Sequence, residues 1–183
     1  MNHERVEAML EQLTSVQIAV YGDFAIDAYW ILDPGGGEVS LETGKRTQAV
    51  EKQYYTLGGA SNIVANLAAL RPDTIHTIGV LGDDIFGREL TRQLEDLQVN
   101  VDGFVLQQEK FDTITFAKRY LEDEEAPRID FGFFNTRSQA TDKQIVQQLE
   151  EALSEYDALI FNQQVPGSLN NPKFIEECNT LFR

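Results

Sequence analysis

Helical and strand periods alternate along the chain. Val6, Met9, Leu10 and Leu13 recur at i, i+3, i+4 and i+7, which predicts an amphipathic helix over residues 2–14. Val16–Tyr21 is a short β-branched run ending in Gly22-Asp23, the pattern of a strand buried on both faces of a parallel sheet. Asp33-Pro34-Gly35-Gly36-Gly37 breaks the chain, and β-like pieces follow at 38–43 and 47–56. The period turns helical again behind Gly58-Gly59, where Ala60, Ile63, Val64, Leu67, Ala68 and Leu70 share one face. Thr74–Leu81 predicts the next strand. Asp84–Leu97 then predicts a helix, with an acidic start and Phe86, Leu90, Leu94 and Leu97 inward.

The second half repeats the alternation. Val101–Gln107 and Thr113–Leu121 read as strands, and an Asp-Glu-Glu-Ala-Pro turn joins the latter to Arg128–Phe134 as a hairpin. Thr141 is the expected cap of a helix with Ile145, Val146, Leu149, Ala152 and Leu153 inward. Asp157–Phe161 predicts a short buried strand, Pro166-Gly167 and Asn170-Asn171-Pro172 turns, and Lys173–Phe182 a helix. Three βα units with interposed β-rich stretches point to an α/β fold, a parallel layer carrying a small separate sheet.

Composition narrows the function classes. The 183 residues hold one cysteine, Cys178, which allows no internal disulfide or cysteine metal cluster and suits a reducing, cytoplasmic compartment. Fifteen basic against thirty acidic residues give a net charge of −15, which opposes binding to nucleic acid or an anionic membrane. It leaves room for a small phosphorylated ligand, because a few local cations dominate a pocket. The histidines, His3 and His76, are too far apart to suggest a metal site, and His76 in an apolar strand reads as structural. No apolar run is long enough to span a membrane, and residues 1–14 lack the pattern of a secretory signal.

The candidate chemistry gathers at Leu57–Leu70. Gly58 and Gly59 in a strand-to-helix turn let a ligand approach the backbone, and the free N–H groups of the helix start favour an oxygen-rich or anionic one. Asn62, one turn in, adds a two-way hydrogen-bonding amide. The same glycines also suit a plain turn that packs a helix on a sheet. Asp27 is expected just past the end of the first strand, the edge where open α/β sheets bind ligands; a turn or capping role is the alternative.

Three segments together resemble the ribokinase/PfkB family of carbohydrate kinases. They are Gly22-Asp23-Phe24-Ala25-Ile26-Asp27, Gly58-Gly59-Ala60-Ser61-Asn62 and Ile78-Gly79-Val80-Leu81-Gly82-Asp83-Asp84-Ile85-Phe86-Gly87, in matching order and spacing. Gly-Asp-x-x-x-Asp-x-Tyr-Trp, with Val39–Glu42, is most similar to the bacterial heptose-phosphate kinase branch. Two features depart from that branch: Ala28 where an arginine is usual, and Asn162-Gln163-Gln164 where an Asp-Tyr pair is usual.

The resemblance implies a ribokinase-like parallel βα layer, with a β-sheet lid from about 38–56 and 104–134. The lid often pairs between subunits, so a homodimer is implied. It implies that Asp27, Gly58, Gly59 and Asn62 bind a sugar, and that Lys118 faces a phosphate on the acceptor; a solvated strand edge is the other reading of Lys118. ATP and Mg2+ are the implied co-substrate and cofactor. The family's catalytic base lies in a Gly-Ala-Gly-Asp turn of the C-terminal half, with the ATP site. Neither motif occurs up to Arg183, so this chain alone is expected to be inactive. The competing expectations are a non-catalytic sugar-binding or dimerisation module, and an unrelated nucleotide-binding domain, which no Gly-x-Gly-x-x-Gly or Walker motif supports.

Overall fold

The computed structural model describes residues 3–165 and 171–183. The first half runs α1 (His3–Leu13), β1 (Gln17–Gly22), β2 (Phe24–Leu32), β3 (Val50–Gly58), α2 (Gly59–Ala69), β4 (Thr74–Gly82), α3 (Ile85–Asp96) and β5 (Asn100–Gln107). The second half runs β6 (Ile114–Leu121), β7 (Glu124–Glu125), β8 (Ile129–Phe131), α4 (Gln139–Glu155), β9 (Ala158–Asn162) and α5 (Pro172–Leu181).

Two sheets result. The first is four-stranded and wholly parallel, in the order β5-β4-β1-β9. On β1, Ile18 and Val20 pack with α2 and α3, while Ala19 and Tyr21 pack with α4 and α5. Both faces are therefore covered, which is why the strand reads as an unbroken apolar run. The helices change face between β1 and β9, so the strand order reverses there; ligands bind at such a point in open α/β sheets. The second sheet is five-stranded, with β2 at its centre between antiparallel β3 and parallel β6, and with β7 and β8 on β6.

Several local expectations are corrected. Asp27 lies inside β2, not in a turn after β1: one residue, Asp23, separates the two strands, and alternation continues through Ile26 and Ala28 inward. Residues 38–43 form no strand, only a bridge between Val39 and Arg46; β2 holds the place expected of them. β5 pairs with β4 in the parallel sheet, because Val101 and Val105 pack into its two core clusters. Ser138, not Thr141, caps α4, accepting from the Thr141 N–H, while the Thr141 hydroxyl donates to Gln107 at 2.7 Å. No residue of α1 is buried, and Met9 and Leu10 of its apolar stripe are exposed. The predicted Pro166-Gly167 turn, and Asn170 of the next, lie outside the described residues.

One buried ion pair ties these parts together. Arg137 Nε stands 2.9 Å from Asp142 Oδ1, and Nη1 donates to the Tyr21 hydroxyl at 2.8 Å. The guanidinium also lies over the Phe174 ring at 4.2 Å, and Asn171 donates to Asp142 Oδ2 at 2.6 Å. Burial pushes the Asp142 carboxyl above its ordinary range against the pull of Arg137. Removing the cation strands the carboxylate, so Arg137→Met is expected to cost about 3–5 kcal/mol in urea denaturation at neutral pH. The carboxyl's folded pKa would then rise further above its unfolded value. The loss should therefore grow as pH rises through the folded value and be smaller in acid.

Among the described residues no strand pairs with the outer edge of β9. Its sequence, Ala-Leu-Ile-Phe-Asn, carries no charge or proline to discourage pairing. Beside it, Leu153, Phe161, Ile175 and Phe182 are exposed around an apolar groove of about 660 Å³. Light scattering of this chain made alone should detect species larger than a monomer. Phe161→Lys should reduce them, and a clean wild-type monomer would rule the idea out.

Candidate functional site

Strand alternation sets the first half of the site. Ile26 and Ala28 of β2 point into the core, which turns Asp27 and Tyr29 to the other face. In register, Asp27 stands between Thr56 of β3 and Phe116 of β6, and Tyr29 between Tyr54 and Lys118. Lys118 Nζ lies 3.0 Å from Asp27 Oδ1 and donates to the Tyr29 hydroxyl at 3.0 Å. Burial works to lower the Lys118 pKa, but the hydrogen bonds to Tyr29 and Asp27 outweigh it and hold the ammonium above its usual value. Tyr29 is itself fixed in a stack, 4.6 Å from the Tyr54 ring and 6.3 Å from Tyr120.

A second cation stands on this face. The Arg128 guanidinium lies 4.3 Å over the Phe116 ring and pairs with both oxygens of Asp130, at 2.6 and 2.8 Å. That bond raises its pKa, and the charge of Asp27 adds to the effect. Arg128 was not among the predicted residues. The signal was present: Arg-x-Asp at i and i+2 on a strand puts both groups on one face.

The start of α2 forms the other half. A Cβ on Gly58 would stand 3.3 Å from Asp27 Oδ2, so glycine keeps the space above the carboxylate open. Gly59 has φ +53°, and a Cβ there would meet the Asp23 carbonyl oxygen at 2.4 Å. Ala60 donates its N–H to that oxygen at 2.9 Å. No side chain caps the helix, Ser61 Oγ is buried without a partner, and Asn62 is exposed on the first turn. Among the predicted residues, Gly58, Asp27 and Lys118 thus come into direct juxtaposition, with Gly59 and Asn62 on the adjoining turn.

Asp23, also missed as a functional residue, organises the edge. Its buried carboxylate accepts the N–H groups of Gln164 at 2.9 Å and Val165 at 2.8 Å, tying the segment after β9 to the end of β1. His76 lies elsewhere, stacked on Tyr156, and burial lowers its pKa. Among the described residues no group of three or more His, Cys, Asp or Glu is placed to hold a metal ion, and no helix is long and apolar enough to cross a membrane.

Residues 17–177 match the pfkB family carbohydrate kinase profile. The chain belongs to this family. It is 30% identical over 158 residues to the bifunctional protein HldE of Aliivibrio fischeri, covering 84% of this chain and 31% of that protein. The chain thus spans about a third of the length of the curated relatives it matches. Its fold matches that of phosphofructokinase-2 from Escherichia coli, with a TM-score of 0.62 at 18% identity, over 91% of this chain and 51% of that one. It also matches a ribokinase from Cryptococcus neoformans solved in complex with ADP, with a TM-score of 0.53 at 16% identity, over 80% and 40%. The ribokinase-like α/β class is the one expected from the sequence.

The Lys118 and Asp27 side chains are only 20% and 21% exposed, so Lys118→Met, which leaves the carboxylate without its cation, should cost about 1–3 kcal/mol in thermal unfolding. Tyr29→Phe removes one bond that holds the ammonium charged. The Lys118 pKa should fall in an NMR titration, and an unchanged value would deny Tyr29 that role.

Proposed function

We propose that this chain is the acceptor-binding part of an ATP-dependent sugar-phosphate kinase. The observation that carries the reading is that an uncapped helix start and the Lys118 ammonium meet at the Asp27 carboxylate, with the Arg128 guanidinium on the same face over Phe116. Asp27 accepts two sugar hydroxyls, which a carboxylate does well. Gly58 and Gly59 let the sugar ring lie against the backbone, and Asn62 binds a further hydroxyl. Lys118 and Arg128 take the phosphate, since the lysine ammonium and the arginine guanidinium both carry N–H donors beyond those that Asp27, Tyr29 and Asp130 accept.

In the reaction, a sugar hydroxyl oxygen attacks the γ-phosphorus of ATP. The bond to the bridging oxygen of ADP breaks, and the hydroxyl proton passes to a base. We assign that base, the nucleotide site and the magnesium ion to polypeptide beyond this chain, in keeping with its covering a third of the HldE relatives. The chain alone is accordingly proposed to bind without catalysing, in the cytoplasm. Pairing of two copies through the second sheet, acting as a lid, is part of the same reading.

Calorimetric titration tests it, with a heptose phosphate, a hexose phosphate and the parent sugars as ligands. A sugar phosphate should bind more tightly than its sugar, and Asp27→Ala should weaken it about 10- to 100-fold, the worth of a hydrogen bond to a charged group. ATP alone should give no heat. Equal binding of sugar and sugar phosphate would remove the phosphate role of Lys118 and Arg128.

A further inference from the structure

The two strands that flank Asp27 leave it unequally open. On the β6 side its register partner is Phe116, whose ring lies under the Arg128 guanidinium, and Arg128 is held in turn by Asp130. Lys118, next along the same face of β6, closes on Asp27 Oδ1. On the β3 side the register partner is Thr56. Period-two alternation puts Thr56 and Gly58 on the face that carries Asp27. Directly opposed residues of an antiparallel pair hold their Cβ atoms about 4.5–5.5 Å apart, so the Thr56 side chain stands beside the carboxylate. Gly58 contributes no side chain, and Asp27 Oδ2 lies on its side. Thr56 is exposed, and Asp27 keeps a fifth of its side-chain surface. The open approach to the carboxylate therefore runs over Thr56 and Gly58.

Other hydroxyls on this face are already engaged. That of Tyr29 accepts from Lys118, and that of Tyr120 donates to Glu125. Among the described residues no group bonds the Thr56 hydroxyl. Its direction is nonetheless restricted, because branching at Cβ makes χ1 stiff. A sugar hydroxyl that gives its hydrogen to Asp27 still has lone pairs, which then need a donor. Lys118 keeps its remaining N–H for the phosphate. The Thr56 O–H is the group placed to serve the hydroxyl oxygen on the Oδ2 side.

We propose that Thr56 sets which sugar the site accepts, by donating to the same sugar hydroxyl that Asp27 Oδ2 accepts from. This rests on the sugar-phosphate reading of the same site. Two protein groups then read one hydroxyl, one as acceptor and one as donor. An analogue without that hydroxyl leaves both unpaired, which is how a polar site rejects it.

The experiment compares the wild-type chain with Thr56→Val, Thr56→Ser and Asp27→Ala. Each is titrated calorimetrically with whichever heptose or hexose phosphate binds the wild type best and with its monodeoxy analogues, and each unliganded protein is melted. Valine keeps the shape and strand preference of threonine and lacks only the hydroxyl. Thr56→Val should bind the parent ligand about five- to tenfold more weakly and bind one monodeoxy analogue as the wild type does. Its preference for the parent over that analogue should shrink by the same factor. Thr56→Ser, which keeps the donor, should restore the preference. The melting temperature of unliganded Thr56→Val should not fall, since no protein partner is lost. If Asp27→Ala loses binding while Thr56→Val binds and discriminates as the wild type does, this inference fails and the site reading stands. Equal weakening toward the parent and every analogue marks a packing role for Thr56 and overturns it too. If the wild type binds no sugar phosphate, the site reading fails and takes this inference with it.

Discussion

The site depends on the hydrogen bonding of Asp23. This single residue separates a strand of the parallel sheet from the central strand of the second sheet, and its N–H, its carbonyl and one carboxylate oxygen are engaged. Its N–H goes to Asn162, its carbonyl takes the Ala60 N–H, and its carboxylate takes the N–H groups of Gln164 and Val165. Three separate pieces of chain, the end of β1, the start of α2 and the segment after β9, are thereby held at one edge. A buried carboxylate accepting two backbone N–H groups is among the stronger neutralising arrangements a protein has. It also removes those N–H groups from competition for a ligand.

Charge illustrates how a local field differs from the total. The chain carries a net charge of −15, yet Lys118 pairs with Asp27 and Arg128 lies on the same face, over the neighbouring Phe116 ring. Each cation already has a carboxylate partner, so the pair of ion pairs is close to neutral without a ligand. The excess acidic charge lies elsewhere, on exposed positions such as Glu122, Asp123 and Glu124, where water screens it.

Much of this was legible in the sequence because it is written in short-range patterns. The parallel strands appear as unbroken apolar runs, and the three glycine- and aspartate-bearing turns follow them at the strand ends. Asp27, Gly58 and Lys118 were singled out and stand together. What was not legible is pairing between distant segments. That Phe24–Leu32 is a strand depends on β3 and β6 on either side, and that Asn100–Gln107 joins the first sheet depends on β4. The Arg128–Asp130 pair needed a hairpin register to bring it over Phe116. Thr56 comes opposite Asp27 through the pairing of β3 with β2, which no short-range pattern states.

The joints between the two sheets are very short. β1 passes into β2 through Asp23 alone, and β3 passes into α2 with no residue between Gly58 and Gly59. The connections from β5 to β6, residues 108–113, and from β8 to α4, residues 132–138, are longer, and in the first the Asp84 carboxylate accepts the Thr113 N–H at 2.7 Å. Any change in the angle between the sheets must be absorbed by rotation at residues 23, 58 and 59. Those residues also border the proposed acceptor site. The angle between the sheets and the shape of the proposed site are therefore set by the same three residues.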